Sequence, residues 1–115
     1  MTGRVLCPLL VLALAACGVH PTHPFGRWSG RVGDPCPGTA LLDARHGEAV
    51  FVRDDGAQVL RGTATPDGQV STRAETPGMN KKGFVQTFTG QIKGDEVTGT
   101  YASPRCTAPV TMHAS

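Results

Sequence analysis

The chain has 115 residues, 39% of them apolar and 17% charged, which is enough for one domain and too little for two. Eleven Lys and Arg against nine Asp and Glu give a formal charge of +2, and the basic residues stand singly apart from Lys81-Lys82. That is no footprint for a nucleic-acid partner. Fifteen Gly and nine Pro, with many Thr and Val, suit short strands and tight turns better than a helical bundle.

Arg4 precedes an apolar run, Val5-Leu6-Cys7-Pro8-Leu9-Leu10-Val11-Leu12-Ala13-Leu14-Ala15-Ala16, which ends on small residues just before Cys17-Gly18. The run is shorter than the ~20 residues a spanning helix needs, as in an export signal. Leu14-Ala15-Ala16-Cys17 resembles the lipobox of bacterial lipoproteins. The resemblance implies cleavage before Cys17, a diacylglycerol on its sulfur and acylation of the new amino group. Residues 1–16 are then a signal peptide, Cys17 is the lipid attachment site, and membrane lipid is the first partner. More than one acyl chain makes such an anchor stable. Gly18 stands where, in that family, an Asp favours retention in the inner membrane, so the implied address is the periplasmic face of the outer membrane. The alternative is an ordinary secretory signal cut near Ala16, with a soluble periplasmic or secreted product.

Only Arg4 leaves with the signal among the charged residues, so the mature chain is nearly neutral. Cys7 leaves too, and with Cys17 lipidated, Cys36 and Cys106 remain as the pair for a disulfide in a compartment that permits one. Such a bond closes a loop of about 70 residues, for which chain entropy gives on the order of 4 kcal/mol. No metal or other cofactor is expected, because two isolated cysteines lack ligand spacing. Residues 17–25 read as the lipidated cysteine and an extended tether, since Val19-His20-Pro21-Thr22-His23-Pro24 has two prolines and no periodicity. His20 and His23 read as solvated linker residues.

From residue 26 to 115 the pattern is that of strands separated by turns. Strands are predicted at 26–32, 39–45, 48–54, 58–65, 69–75, 84–92, 96–101 and 106–113. Arg45-His46-Gly47, Asp54-Asp55-Gly56, Pro66-Asp67-Gly68 and Lys93-Gly94-Asp95 supply the turn residues between them. No segment offers ten residues at helical period, and such short connections forbid parallel crossovers. Trp28, Gly30 and Val32 share one face, as do Gln86, Phe88, Gly90 and Ile92 with Phe84, and Cys106, Ala108, Val110 and Met112. The strands at 39–45 and 48–54 are apolar on both faces, which leaves their register open. Leu60-Arg61-Gly62-Thr63-Ala64, a turn and Val70 match Phe88-Thr89-Gly90-Gln91-Ile92, a turn and Val97, a weak hairpin repeat with a glycine in mid-strand. The expected fold is all-β: an antiparallel up-and-down meander of about eight strands, closed into a small barrel. Trp28, Phe84, Phe88, Tyr101 and Met112 are expected to fill its interior.

Gly26-Arg27-Trp28 resembles the Gly-x-Trp signature of lipocalins and avidins, and Val97-Thr98-Gly99-Thr100-Tyr101 looks like an avidin-type strand. The resemblance implies architecture more than ligand, since the avidin pocket uses several tryptophans and Trp28 stands alone here. Lys93-Gly94-Asp95-Glu96 looks like part of the pattern of lipoprotein inhibitors of lysozyme, in which a lysine there helps plug the enzyme's acidic cleft. Their serine- and glycine-rich loop motif is not found in this sequence.

Catalysis needs converging groups, and no spacing supplies them. Ser29 lies on a strand and not in a Gly-x-Ser-x-Gly elbow, and His46 and His113 read as surface histidines. Asp54-Asp55-Gly56 lacks the ligand spacing of a calcium loop. The loop from Glu75 to Gly83 is the longest connection and sets Met79 beside Lys81 and Lys82. Met79, Lys81, Lys82 and Lys93 are the candidate partner-binding residues. The sequence therefore points to a non-enzymatic envelope lipoprotein whose barrel binds an envelope protein or serves a structural role. The alternatives are a periplasmic hydrolase inhibitor and a carrier of a small apolar ligand, the last needing a cavity above ~300 Å³.

Overall fold

The computed structural model describes residues 22–76 and 83–115, so Cys17, His20, Met79, Lys81 and Lys82 lie outside the described residues. Among the described residues eight strands follow one another: β1 (Gly26–Val32), β2 (Gly38–Arg45), β3 (Glu48–Arg53), β4 (Gln58–Ala64), β5 (Gln69–Thr76), β6 (Phe84–Lys93), β7 (Glu96–Ala102) and β8 (Thr107–Ala114). Each runs antiparallel to the next, and β8 returns to β1 to close the barrel. That seam pairs Trp28 with Ala114 through to Val32 with Val110. Closure pairs the backbone groups of the two strands that would otherwise be edges. The Gly33 N–H extends the seam by donating to the Pro109 carbonyl at 2.8 Å.

Strict alternation decides what goes inside. Trp28 and Val32 point inward from β1, Leu42 from β2, Phe51 from β3, Leu60 from β4, Val70 from β5, Phe88 from β6, Val97 and Tyr101 from β7, and Val110 and Met112 from β8. The pairing of Leu42, Phe51 and Leu60 across three strands sets the register that periodicity left open. Leu41, Val50 and Val52 consequently face outward. Phe84, expected inside, is a correction. It opens β6 opposite Thr76, at the mouth of the barrel, and is 37% exposed, while Phe51 takes the interior place. The Phe51 and Phe88 rings stack at 4.3 Å between centroids on the barrel axis.

Boundaries moved where local bonding overrode pattern. β3 stops at Arg53 because Asp54 takes a left-handed backbone, φ 55°, and begins a 3-10 turn over Asp54–Gly56. β8 starts after Cys106, whose N–H donates to Ser103 Oγ at 3.3 Å and whose carbonyl accepts the Ser103 N–H at 2.8 Å.

Glycine is required where the strands crowd one another. Gly90 faces Gly99 across β6 and β7, and a Cβ on either would lie 2.8 and 3.0 Å from the Phe88 ring. The bare backbone thus makes room for that ring. On β4, a Cβ at Gly62 would sit 1.9 Å from the Ser71 carbonyl oxygen of β5. Gly62→Ala must therefore push β4 and β5 apart, costing about 1–3 kcal/mol as overpacking does elsewhere. A lowered urea midpoint is the expected result, and an unchanged one would show that the strands do not approach so closely.

Candidate functional site

Antiparallel order sorts the connections to two ends. The incoming tether, the β2–β3, β4–β5 and β6–β7 turns and the C-terminus share one end, here the tether end. The connections after β1, β3, β5 and β7 share the other. The disulfide lies there: Cys36, in the β1–β2 connection, is bonded to Cys106 with the Cα atoms 6.4 Å apart. It ties the first connection to the last across the seam, so this is the clamped end.

Beneath the clamp lies a polar group of side chains that hydrophobic parity did not reveal. Arg53 points inward from the last residue of β3 and is only 7% exposed. Its Nε donates to Asp54 Oδ2 at 3.1 Å, its Nη2 donates to the Cys36 carbonyl, and its guanidinium carbon lies 4.4 Å from the centre of the Tyr101 ring. The Tyr101 hydroxyl in turn donates to Gln86 Oε1 at 2.6 Å and has Gln58 Oε1 at 3.2 Å. A buried cation is tolerated only when hydrogen-bonded and paired, and here the carbonyl that helps satisfy it belongs to the disulfide-bonded residue. The sequence gave one clue, a charged residue on the inward parity of β3.

The tether end is closed differently. Trp28 Nε1 donates to the Gly94 carbonyl at 3.1 Å, tying the start of β1 to the β6–β7 turn. A shallow hollow of about 340 Å³ remains between Phe25, Trp28, Asp67 and Ile92. His23 lies against Gly47, the Phe25 ring meets His46 edge-on at 6.3 Å, and the Arg45 guanidinium stands 5.9 Å from the Phe25 ring centre.

Of the candidate partner residues, Lys93 is exposed at the end of β6, opposite Glu96, at the tether end. Its strand begins at the clamped end, so Lys93 stands at the opposite end of the barrel from Phe84, and Met79, Lys81 and Lys82 lie outside the described residues. The register also aligns Ser29, His113 and Glu96 in one outward row across β1, β8 and β7. All three are exposed. Among the described residues no side-chain hydrogen bond or ion pair joins the three. Among the same residues no three metal-ligating side chains come together.

The outer surface is two-sided. On β2, β3 and β4 it carries Leu41, Val50, Val52 and Val59, with open hollows of about 310 and 610 Å³ beside Leu41 and Val52. On β5 to β8 it carries Ser71, Thr89, Gln91, Thr98, Thr100 and Thr111, with Val85 exposed near the start of β6. Asp43 borders the apolar side, held by Arg27 and Arg45 at 3.1 Å each. Partial burial pushes its carboxyl up, but the hydrogen bonds and charges of the two guanidinium groups outweigh this and hold it below its ordinary 3.8.

No protein-family model matches this chain, and no curated protein or solved structure matches it at a significant level.

Two predictions follow from this geometry. Replacing both Cys36 and Cys106 by Ser removes the clamp and the restraint it places on the Cys36 carbonyl, and about 2–4 kcal/mol of unfolding free energy is expected to go with it. Calorimetry of the non-reduced protein checks this, and an unchanged transition would refute the clamp. For Asp43, a depressed folded-state pKa means stability that is complete above pH 3.8 and lost as pH falls below it. The stability difference between wild type and Asp43→Asn should therefore shrink as pH is lowered through 3.8, and a constant difference would contradict the assignment.

Proposed function

We propose that this chain is a non-enzymatic, lipid-anchored cell-envelope lipoprotein whose small barrel works as a binding or structural module for an envelope partner. The observation that carries the reading is the filled barrel axis. Phe51, Phe88, Leu42, Leu60 and Met112 are fully buried along it, and Arg53, Tyr101 and Gln86 occupy the space towards the clamped end. An eight-stranded barrel is only just wide enough for its own side chains or for one small ligand, and these residues take that room. Recognition then falls to the outside of the barrel and to its loops, which favours a module over a carrier.

The anchor rests on Leu14-Ala15-Ala16-Cys17, and the tether that leaves the barrel at residue 25 is short enough to keep the domain near a membrane surface. The inhibitor reading draws on Lys93, which stands exposed beside the two-residue turn that Trp28 fixes. It is weaker, because the serine- and glycine-rich loop motif of such inhibitors is not found in this sequence.

A native mass spectrum of the non-reduced protein, gently purified from the envelope, tests the proposal. The expected mass is that of the chain cut before Cys17, acylated and short of two hydrogens, and Cys17→Ser should lose the acyl mass and remain an unprocessed precursor. Acyl labelling that survives Cys17→Ser would sink the anchor. An adduct that leaves on denaturation would hand the lead to the carrier.

A further inference from the structure

A barrel exterior in water has no need of apolar residues on strands whose inner faces are already apolar, yet β2 and β3 have both. Leu41, Val52 and Val59 pair in register across β2, β3 and β4, and Val50 lies one step along the same face. Val59 is 38% exposed and the others are half-buried. The opposite side, β5 to β8, presents hydroxyl and amide side chains in matching rows, Ser71, Thr89 and Thr100, then Gln91, Thr98 and Thr111, with Val85, 37% exposed, as its apolar exception near the clamped end. The barrel is amphipathic from side to side, much as a surface helix is.

The tether reaches the barrel on the apolar side. β1 has β8 on one flank and β2 on the other, but residues 23 to 25 lean towards the β2–β3 turn, where His23 lies on Gly47 and Phe25 on His46. Phe25 is 70% exposed, the most exposed large apolar residue described, and stands at the tether end beside His46 and Arg45. Between Cys17 and His23 stand five residues, whose full extension is under about 20 Å. Whatever holds Cys17 must lie close to the β2–β3 turn.

The charges around this face are mixed, with Glu48 exposed on β3 and Asp43 on β2, and two guanidinium groups stand together at its β4–β5 edge. Arg61 and Arg73 face each other directly across β4 and β5, and among the described residues neither has a carboxylate partner. Like charges placed so repel each other, and a phosphate between them relieves the repulsion. Arg27 and Arg45 flank the other border and neutralise Asp43.

We propose that the outer face of β2, β3 and β4 rests on the phospholipid surface to which Cys17 is anchored. The barrel then lies on its side, with β5 at the border and the hydroxyl-rich face of β6 to β8 turned to the aqueous compartment. This rests on the lipid-anchor reading above and assigns the surface that reading leaves open. The apolar side chains enter the boundary between headgroups and acyl chains, the depth at which interfacial proteins bury their apolar faces, and Arg61 and Arg73 meet lipid phosphates. Any protein partner is left the opposite face and the clamped end.

The test uses the mature, acylated protein in vesicles of anionic phospholipid with brominated acyl chains, which quench tryptophan on contact. Val52→Trp and Thr98→Trp place a probe outward on the two sides, with Trp28 as a constant buried background. The expected result is a loss of emission for Val52→Trp and none for Thr98→Trp. Val59→Trp repeats the reading from β4 if Val52→Trp does not fold. Equal quenching of both probes, or an unquenched Val52→Trp on vesicle-bound protein, overturns the resting face while the anchor stands. An emission shift of Val52→Trp that follows protein concentration and not bromination gives the face to a second copy and overturns it too. Protein that carries no acyl mass and stays off the vesicles overturns both readings.

Discussion

Closure of β8 onto β1 is the constraint from which most of the structure follows. Once eight strands are joined in a ring, the inside holds little more than one layer of side chains, and the size of each inward residue is set by the residue it meets across the axis. Phe88 projects over two glycines, Gly90 and Gly99, because any Cβ there would meet its ring. Phe51 stacks on Phe88, and Tyr101 lies 6.4 Å from Phe51 at a shallow angle. Ala40, Ala44, Ala49, Ala64 and Ala108 take the inward places where a larger residue has no room.

The same ring explains why a cation is buried near one mouth. Arg53 has no solvent route on the inward parity, so its donors must be satisfied from the barrel wall, by Asp54 and by the Cys36 carbonyl. The disulfide holds that carbonyl in place. It therefore acts twice: on the unfolded chain, by closing a long loop, and on the folded one, by fixing an acceptor for a buried charge. Tyr101 joins the two regimes, with its ring under the guanidinium and its hydroxyl on Gln86. The seam, the clamp and the polar group beneath it form one connected unit.

Much of the fold was legible because barrels obey period-two patterning and their turns carry recognisable residues. His46-Gly47, Pro66-Asp67-Gly68 and Gly94-Asp95 mark turns that the structure places where composition put them, and the inward set on β1, β7 and β8 follows from parity alone. Phe84 escaped because parity says which face a residue is on, not how near it stands to an open end. The Arg53 group escaped because its members are spread from residue 36 to residue 101 and come together only through closure. Sequence proximity groups Lys93 with the preceding connection, but β6 is ten residues long and sets Lys93 at the opposite end of the barrel from Phe84.

The ambiguity of β2 and β3 is itself informative. A strand that lines a closed barrel and meets water outside should alternate, as β8 does with Ala108, Val110 and Met112 against Thr107, Pro109 and Thr111. Where alternation fails in two adjacent strands, the interior accounts for only one of the two apolar sets. Register assigns Leu42 and Phe51 to the core, and Leu41, Val50 and Val52 are then surplus to folding. Half-buried apolar residues grouped in this way on one side of the barrel are the observation from which the proposal of a covering surface starts. On the proposed acylation of Cys17, the short tether brings a bilayer to the β2–β3 end of the molecule before any other partner can reach it.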